Sequence, residues 1–177
     1  MGLGPSTACS IGMNTVLTPA ERERYQNADV IHEILETAKT IALVGLSTDH
    51  QKASYFVASY LLSEGYRVIP VTPRGGEILG QKCYPDLKSV PEKIDLVDIF
   101  RPAHEVAALV DTAIALNIPA VWMQLRIIDF AAADKALAAG MKVVMDKCVK
   151  MEHGRYGGSL HWAGMNTEII TARRARY

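Results

Sequence analysis

Small, polar and basic residues follow an apolar run in the first third of the chain. Ile41 to Val44 form a continuous apolar run, which is typical of a parallel strand covered on both faces. Gly45 ends this run, and the segment from Leu46 to Ser54 then contains serine, threonine and Lys52. Glycine allows a sharp turn, and the N–H groups that begin a following helix attract anions. The pattern fits a phosphate-binding turn, although a lone glycine after a strand favours an ordinary strand-to-helix turn until other features join it.

Three further segments place polar and basic residues where predicted strands end. The segments are Thr72, Pro73 and Arg74; Phe100, Arg101 and Pro102; and Met123, Gln124 and Arg126. Ligands of doubly wound sheets bind at the carboxyl ends of the strands, so these loops share one rim. Three arginines and Lys52 are therefore expected on one rim of a protein with no net charge.

Other residues that could do chemistry are spread thinly. The three cysteines and five histidines lack the spacing of a metal site, so we predict no bound metal. Cys148 lies near Asp146, Lys147 and Lys150, which fits either a partly ionised thiolate able to form a mixed disulfide or, as we favour, a packed thiol. No nucleophile and base stand at catalytic spacing, so we assign no catalytic residue.

Composition limits the classes of protein that fit. A chain of 177 residues suits one domain, and 19 Lys plus Arg balance 19 Asp plus Glu, so no overall field attracts nucleic acid or an anionic membrane. No apolar run approaches the roughly 18 residues of a membrane span, and the first residues do not resemble a secretory signal. We expect a soluble cytoplasmic protein, with residues 1–17 disordered and one domain over 18–177.

Alternating strands and helices position the candidate residues. Thr18 and Pro19 predict the start of one helix and Asp29 the cap of a second, and the pair is expected to pack on the sheet edge. Strands are predicted over about 41–46, 66–71, 94–100, 119–123 and 141–145, with helices over about 52–64, 87–90, 104–117 and 129–139. This alternation predicts a Rossmann-like, doubly wound α/β fold with a parallel five-stranded sheet, strand order 3-2-1-4-5, in three α/β/α layers.

The usual residues of a dinucleotide site are missing. A G-x-G-x-x-G turn would follow the first strand, but the next glycine after Gly45 is Gly65. An acidic residue would end the second strand, but Arg74 stands there, which favours a ligand with an additional phosphate on its ribose. NADP and coenzyme A both remain open on this evidence.

Four segments together resemble a known family. They read GLSTDHQKAS, GYRVIPVTP, IDLVDIFRP and VWMQ, and with a later MDKCVKMEHGR they cover about residues 40–155. They resemble the small stand-alone CoA-binding domain proteins, a family similar to the N-terminal CoA-binding domain of the succinyl-CoA synthetase α subunit. The resemblance implies coenzyme A as the ligand and the same Rossmann-like fold.

The resemblance also implies a set of ligand-binding residues. They are Gly45, Leu46, Ser47, Lys52, Ser54, Thr72, Pro73, Arg74, Phe100, Arg101, Pro102, Met123, Gln124 and Arg126. Residues 45–47 would line the pyrophosphate, Arg74 would pair with the 3′-phosphate, and Gln124 would face the pantetheine arm. Two positions depart from the family, which usually has asparagine at Thr72 and glycine at Arg126. An arginine there blocks the thioester arm, adds a phosphate contact or points to solvent.

Two functions of different class fit the sequence. The resemblance favours a non-catalytic module that holds CoA or an acyl-CoA as a carrier or sensor, because the related synthetases carry their phosphorylated histidine in a second domain. The alternative is an NADP-dependent oxidoreductase with an atypical phosphate loop, against which the missing glycines and the missing catalytic pair count. A protein partner is left open, and the basic residues near the carboxyl terminus are expected to form a solvated end rather than a nucleic-acid site.

Overall fold

Five parallel strands form the central sheet. The computed structural model describes residues 17–156. The strands of the sheet are β1 (Thr40–Val44), β2 (Arg67–Val71), β5 (Leu96–Ile99), β6 (Ala120–Met123) and β7 (Lys142–Val144), and a hairpin of β3 (Glu77–Ile78) and β4 (Gln81–Lys82) follows β2. The sheet order is β2-β1-β5-β6-β7 with every neighbouring pair parallel. The predicted parallel five-stranded sheet is therefore confirmed.

Helices cover both faces of the sheet. They are α1 (Pro19–Tyr25), α2 (Ala28–Thr37), α3 (Ala53–Ser63), α4 (Ala103–Ala115), α5 (Phe130–Ala138) and α6 (Val149–Tyr156), with a 3-10 turn at Leu87–Ser89. Successive strand residues point to opposite faces, so Ala42 and Val44 pack with α4 and α5, while Ile41 and Leu43 pack with α2, α3 and α6. This arrangement confirms the three α/β/α layers. Between residues 17 and 156, no helix is long and apolar enough to cross a membrane.

The predicted strand order is wrong at one position. The third predicted strand corresponds to β5, which lies between β1 and β6 rather than outside β2. Tyr84 occupies the outer side of β2: its N–H donates to Pro70 O at 2.9 Å, and the Thr72 N–H donates to Tyr84 O at 2.8 Å. The prediction took the simplest doubly wound order, but right-handed crossovers fit the observed order equally, and no pattern in the sequence decides between the two.

The first two helices begin at capping residues. The Thr18 hydroxyl accepts from the Glu21 N–H at 3.3 Å while the Glu21 carboxylate accepts from the Thr18 N–H at 2.7 Å, so the predicted start of α1 is confirmed. The predicted Asp29 cap of α2 is wrong, because Asn27 Oδ1 accepts from the Asp29 and Val30 N–H groups. Asp29 lies instead in the first turn of α2.

The helix pair α1 and α2 lies beside β7, an edge strand. The Met145 N–H donates to Tyr25 O at 3.0 Å, and Lys142 on β7 pairs with Glu33 on α2 at 2.6 Å. These contacts confirm the predicted packing at the sheet edge. Leu17 is buried in the core, so the predicted disordered segment does not extend to this residue. Residues 1–16 and the basic end of the chain lie outside the described residues.

Candidate functional site

A cavity of about 660 Å³ opens at the carboxyl edge of the sheet, beside the loops that follow β1, β2 and β5. Its lining residues are Val44, Gly45, Leu46, Ser47, Thr48, Val71, Thr72, Pro73, Arg74, Gly75, Ile78, Pro85, Asp86, Leu87, Lys88, Arg101, Glu105, Leu109 and Thr112. This volume lies within the range of sites that hold small molecules. The cavity stands at the edge where ligands of doubly wound sheets bind.

Gly45 shapes the floor of this cavity. Its φ of +91° lies in the region that favours glycine, and a Cβ built there would stand 2.9 Å from Arg101 Cδ and 3.2 Å from the Phe100 carbonyl. The Gly45 N–H donates to Val71 O at 3.0 Å and so continues the ladder between β1 and β2. Gly45 therefore contributes close approach and a turn, while its own N–H is engaged within the sheet.

The loop after Gly45 is tied to the start of α3. The Ser47 N–H donates to the Oγ of the buried Ser54 at 3.2 Å. No side chain caps α3, which begins after Lys52, whereas α1, α2 and α5 have the side-chain caps Thr18, Asn27 and Asp129. An uncapped helix start leaves backbone N–H groups available to an anion.

Three cationic side chains line the cavity. Arg101 Nε and Nη2 donate to the Glu105 carboxylate at 2.8 and 2.7 Å, which raises the pKa of Arg101 and lowers that of Glu105. Within residues 17–156, Arg74 and Lys88 form no ion pair. The second carboxylate, that of Asp86, caps the 3-10 turn. The cavity therefore offers an anionic ligand one cation held in an ion pair, Arg101, and, within the described residues, two that form none, of which Lys88 lies near the Asp86 carboxylate.

Half of the residues predicted for the site line this cavity. They are Gly45, Leu46, Ser47, Thr72, Pro73, Arg74 and Arg101. The other predicted residues lie outside its lining: Lys52, Ser54, Phe100, Pro102, Met123, Gln124 and Arg126. Met123 is fully buried in the core, whereas Lys52 and Arg126 are exposed. Sequence reasoning missed three cavity residues, Lys88, Glu105 and Thr112. Glu105 and Thr112 are seven residues apart and so lie two turns apart on one face of α4. This spacing was a signal that the sequence offered.

Gln124 turns towards a buried carboxyl group rather than towards the cavity. Its Nε2 donates to Asp98 Oδ1 at 2.7 Å. Asp98 is 0% exposed, and its Oδ2 has no hydrogen-bond partner. Burial raises the pKa of Asp98 to about 7, with the Gln124 bond acting in the opposite direction. The carboxyl group is thus poised between its protonated and ionised forms near neutral pH.

Cys148 lies near Asp98 and has the character of a packed thiol. Burial raises the pKa of Cys148, and the Asp98 charge raises it further, while the backbone N–H groups of α6 and Lys150 lower it. The thiolate is therefore disfavoured, which supports the interpretation of Cys148 as a packed thiol rather than a reactive thiolate. Across the described residues, no three His, Cys, Asp or Glu side chains are grouped so that they could hold a metal ion.

Arg126 occupies a backbone position suited to glycine. Its φ is +66°, in the left-handed region, and its N–H donates to Asp146 Oδ1 at 2.7 Å. This conformation explains why the family resemblance implies glycine there. Of the three interpretations of Arg126, the structure agrees with an exposed side chain outside the cavity lining.

The parallel sheet, its helical layers and the cavity at its carboxyl edge define a Rossmann-like α/β protein. A family model described as a CoA binding domain matches residues 39–154, which is more than half of the chain. The chain belongs to this CoA-binding domain family, and the predicted resemblance is confirmed.

Similar proteins include short chains and larger ligases. The uncharacterized protein YneT of Bacillus subtilis strain 168 is 33% identical over 123 residues, covering 70% of this chain and 91% of YneT. The ADP-forming acetate–CoA ligase II of Archaeoglobus fulgidus is 30% identical over 88 residues, which are 49% of this chain but 13% of the ligase. A solved structure, a hypothetical protein from Pyrococcus horikoshii OT3, is 39% identical with a TM-score of 0.71, covering 74% of this chain and 92% of that one.

Proposed function

We propose that this protein binds coenzyme A or an acyl-CoA in the cavity at the carboxyl edge of the sheet, as a non-catalytic carrier or sensor. The observation that carries the proposal is the placement of Gly45, Arg74 and Arg101 around one cavity in a chain of the CoA-binding domain family. The cavity combines the exposed cation of Arg74, the turn at Gly45 and apolar walls. These features suit a phosphorylated nucleotide.

Each part of the ligand has a proposed place. Leu46 and the Ser47 hydroxyl would face the pyrophosphate, next to the guanidinium of Arg101. Arg74 would pair with the 3′-phosphate of the adenosine, because it is exposed at the end of β2 and forms no ion pair among the described residues. Thr72 and Pro73 would stand beside the adenosine.

Calorimetric titration of CoA and dephospho-CoA tests this assignment. Arg74→Ala is expected to weaken CoA binding about tenfold or more, since a charge-assisted bond to a phosphate is lost. The affinity for dephospho-CoA, which lacks the 3′-phosphate, is expected to stay the same. Lys93→Ala removes one positive charge from an exposed position outside the cavity lining and serves as the control.

Two results would contradict the proposal. Equal losses for CoA and dephospho-CoA in Arg74→Ala would remove the contact with the 3′-phosphate. Failure of the wild-type chain to bind CoA or acetyl-CoA, together with binding of NADP, would favour the oxidoreductase alternative.

A further inference from the structure

The ion pair between Arg101 and Glu105 has an unusual position for a surface pair, because both side chains line the cavity. Two N–H groups of the Arg101 guanidinium meet the two carboxylate oxygens of Glu105, at 2.8 and 2.7 Å. Guanidinium groups bind carboxylates and phosphates with the same two-pronged geometry. A ligand phosphate and the Glu105 carboxylate therefore compete for the same donors.

Arg101 is held next to the turn where a phosphate is expected. Its Cδ would lie 2.9 Å from a Cβ at position 45, so the arginine side chain crosses the Gly45 turn as closely as a glycine allows. Of the other cations of the cavity, Arg74 forms no ion pair in the described part of the chain, and Lys88 lies near the Asp86 carboxylate. Arg101 thus lies against the glycine turn and is, among the described residues, the one cavity cation held in a two-pronged ion pair.

We propose that Glu105 lowers the affinity of the cavity for phosphate-bearing ligands, by holding Arg101 in an ion pair that a bound phosphate must weaken. The inference rests on the proposed function and adds a residue that sets the strength of binding. Glu105 acts as a positioning residue through Arg101, because its carboxylate engages the guanidinium donors that a ligand phosphate would use. A carrier or sensor gains from this arrangement, because moderate affinity allows the ligand to leave.

Glu105→Gln separates charge from position. Glutamine keeps one oxygen that can accept from Arg101, so the arginine stays near the Gly45 turn while the negative charge is lost. CoA affinity is expected to rise about three- to fivefold at low salt, as suits a half-exposed pair, and the gain is expected to shrink at about 0.5 M salt. In an Arg101→Gln background the gain from Glu105→Gln is expected to be largely lost.

The pair formed by Arg67 and Glu92 provides a matched control. It has the same two-pronged geometry, at 3.1 and 2.7 Å, and similar exposure, 44% and 39% against 44% and 35% for the cavity pair, but it lies outside the cavity lining. Glu92→Gln changes the net charge equally and is expected to leave CoA affinity unchanged.

The outcomes separate this inference from the proposed function. Wild-type protein that does not bind CoA contradicts the proposed function. Wild-type protein that binds CoA, combined with unchanged or weaker binding by Glu105→Gln, contradicts only the role of Glu105. A gain of the same size in Glu92→Gln, or one that persists without Arg101, also overturns that role.

Discussion

At the scale of single residues, Gly45 joins the backbone geometry to the cavity. Its positive φ is one that residues other than glycine adopt only with strain. The neighbouring Arg101 and Phe100 also leave no room for a Cβ. Both constraints act on the same loop. Gly45 is therefore needed twice, once for the turn and once for the arginine that crosses it.

Gly45→Ala is expected to damage both stability and ligand binding. The left-handed conformation costs an alanine about 1 to 2 kcal/mol, and displacement of Arg101 is expected to weaken CoA binding at least about tenfold. Urea unfolding measures the first effect and calorimetric titration the second.

Gly65→Ala is the matched control for this substitution. Gly65 has nearly the same φ, +90°, but nothing lies within 4 Å of a Cβ built there. Gly65→Ala should therefore show the backbone strain alone and keep its CoA affinity. Equal losses of binding in the two variants would mean that the collision with Arg101 is unimportant.

The cavity-lining positions of Gly45, Arg74 and Arg101, which follow strands, could be predicted from sequence, whereas those of Lys88 and Glu105 could not. Gly45, Arg74 and Arg101 follow predicted strands, and the carboxyl ends of parallel strands share one edge. Glu105 and Lys88 belong to segments that reach the cavity only through three-dimensional packing. Gln124 also follows a strand, but its side chain bonds to the buried Asp98, and nothing local in the sequence signals that choice.

At the scale of elements, α6 contains a buried ionic group. Glu152 is 2% exposed and accepts from Lys147 Nζ at 3.2 Å and from Arg155 Nη1 at 3.1 Å. On the same helix, His153 Nδ1 lies 2.9 Å from the Tyr60 hydroxyl of α3. The His153 contact joins α6 to α3, whereas the Glu152 ion pairs link residues within α6 and just before it.

Glu152→Gln is expected to destabilise the fold by about 3 kcal/mol, because Lys147 and Arg155 lose their carboxylate in a buried setting. Urea unfolding measures the change. Glu33→Gln breaks an exposed pair with Lys142 and should cost less than about 1 kcal/mol. Similar small losses in both variants would show that burial adds little to the Glu152 network.

Elements with an apolar run, helical spacing or a capping signal were predictable, whereas the β3–β4 hairpin, α6 and the bridge at Tyr84 were not. The strand and helix alternation from β1 to β7 follows directly from apolar runs and helical spacing. The α6 helix contains Glu152 and Gly154, both buried, so it lacks the apolar stripe that identifies a helix. The bridge at Tyr84 is shorter still, a single residue that leaves no pattern in the sequence.

At the scale of the whole molecule, the positive charge available to a ligand lies locally at the cavity and is not a net charge of the whole chain. The chain has equal numbers of acidic and basic side chains, yet Arg74, Lys88 and Arg101 gather at one edge. A net charge of zero provides no overall field for polyanions. Under the proposed function, selectivity for a phosphorylated ligand would therefore arise within the cavity.

Two buried groups give the whole domain a pH dependence near neutrality. The other described groups with a shifted pKa titrate outside about pH 5 to 8: the pKa values of Asp86, Glu92 and Glu105 are lowered, and those of Tyr25, Tyr60, Tyr66, Arg67, Cys83, Arg101 and Cys148 are raised. Asp98 and His153 are the two described groups whose shifted pKa values affect stability near neutral pH. Burial raises the pKa of Asp98 from 3.8 to about 7 and lowers that of His153 from 6.5.

The two groups act on stability in opposite directions. The folded state binds a proton at Asp98 more tightly than the unfolded state does, so this residue lowers stability as pH rises from about 4 to about 7. The unfolded state binds a proton at His153 more tightly, so this residue lowers stability as pH falls below about 6.5. Each effect partly offsets the other in the wild-type protein.

Asp98→Asn is expected to expose the His153 effect alone. Asparagine keeps the oxygen that accepts from Gln124 but cannot ionise, so it should stabilise the protein at about pH 8, by up to roughly 4 kcal/mol, and change little at about pH 4. Stability of this variant should then rise with pH from about 5 to about 7, and a further His153→Gln substitution should flatten the rise. Urea unfolding at several pH values measures both changes. An Asp98→Asn variant with the same pH profile as the wild type would show that the Asp98 carboxyl group keeps its ordinary pKa in the folded protein, despite its complete burial.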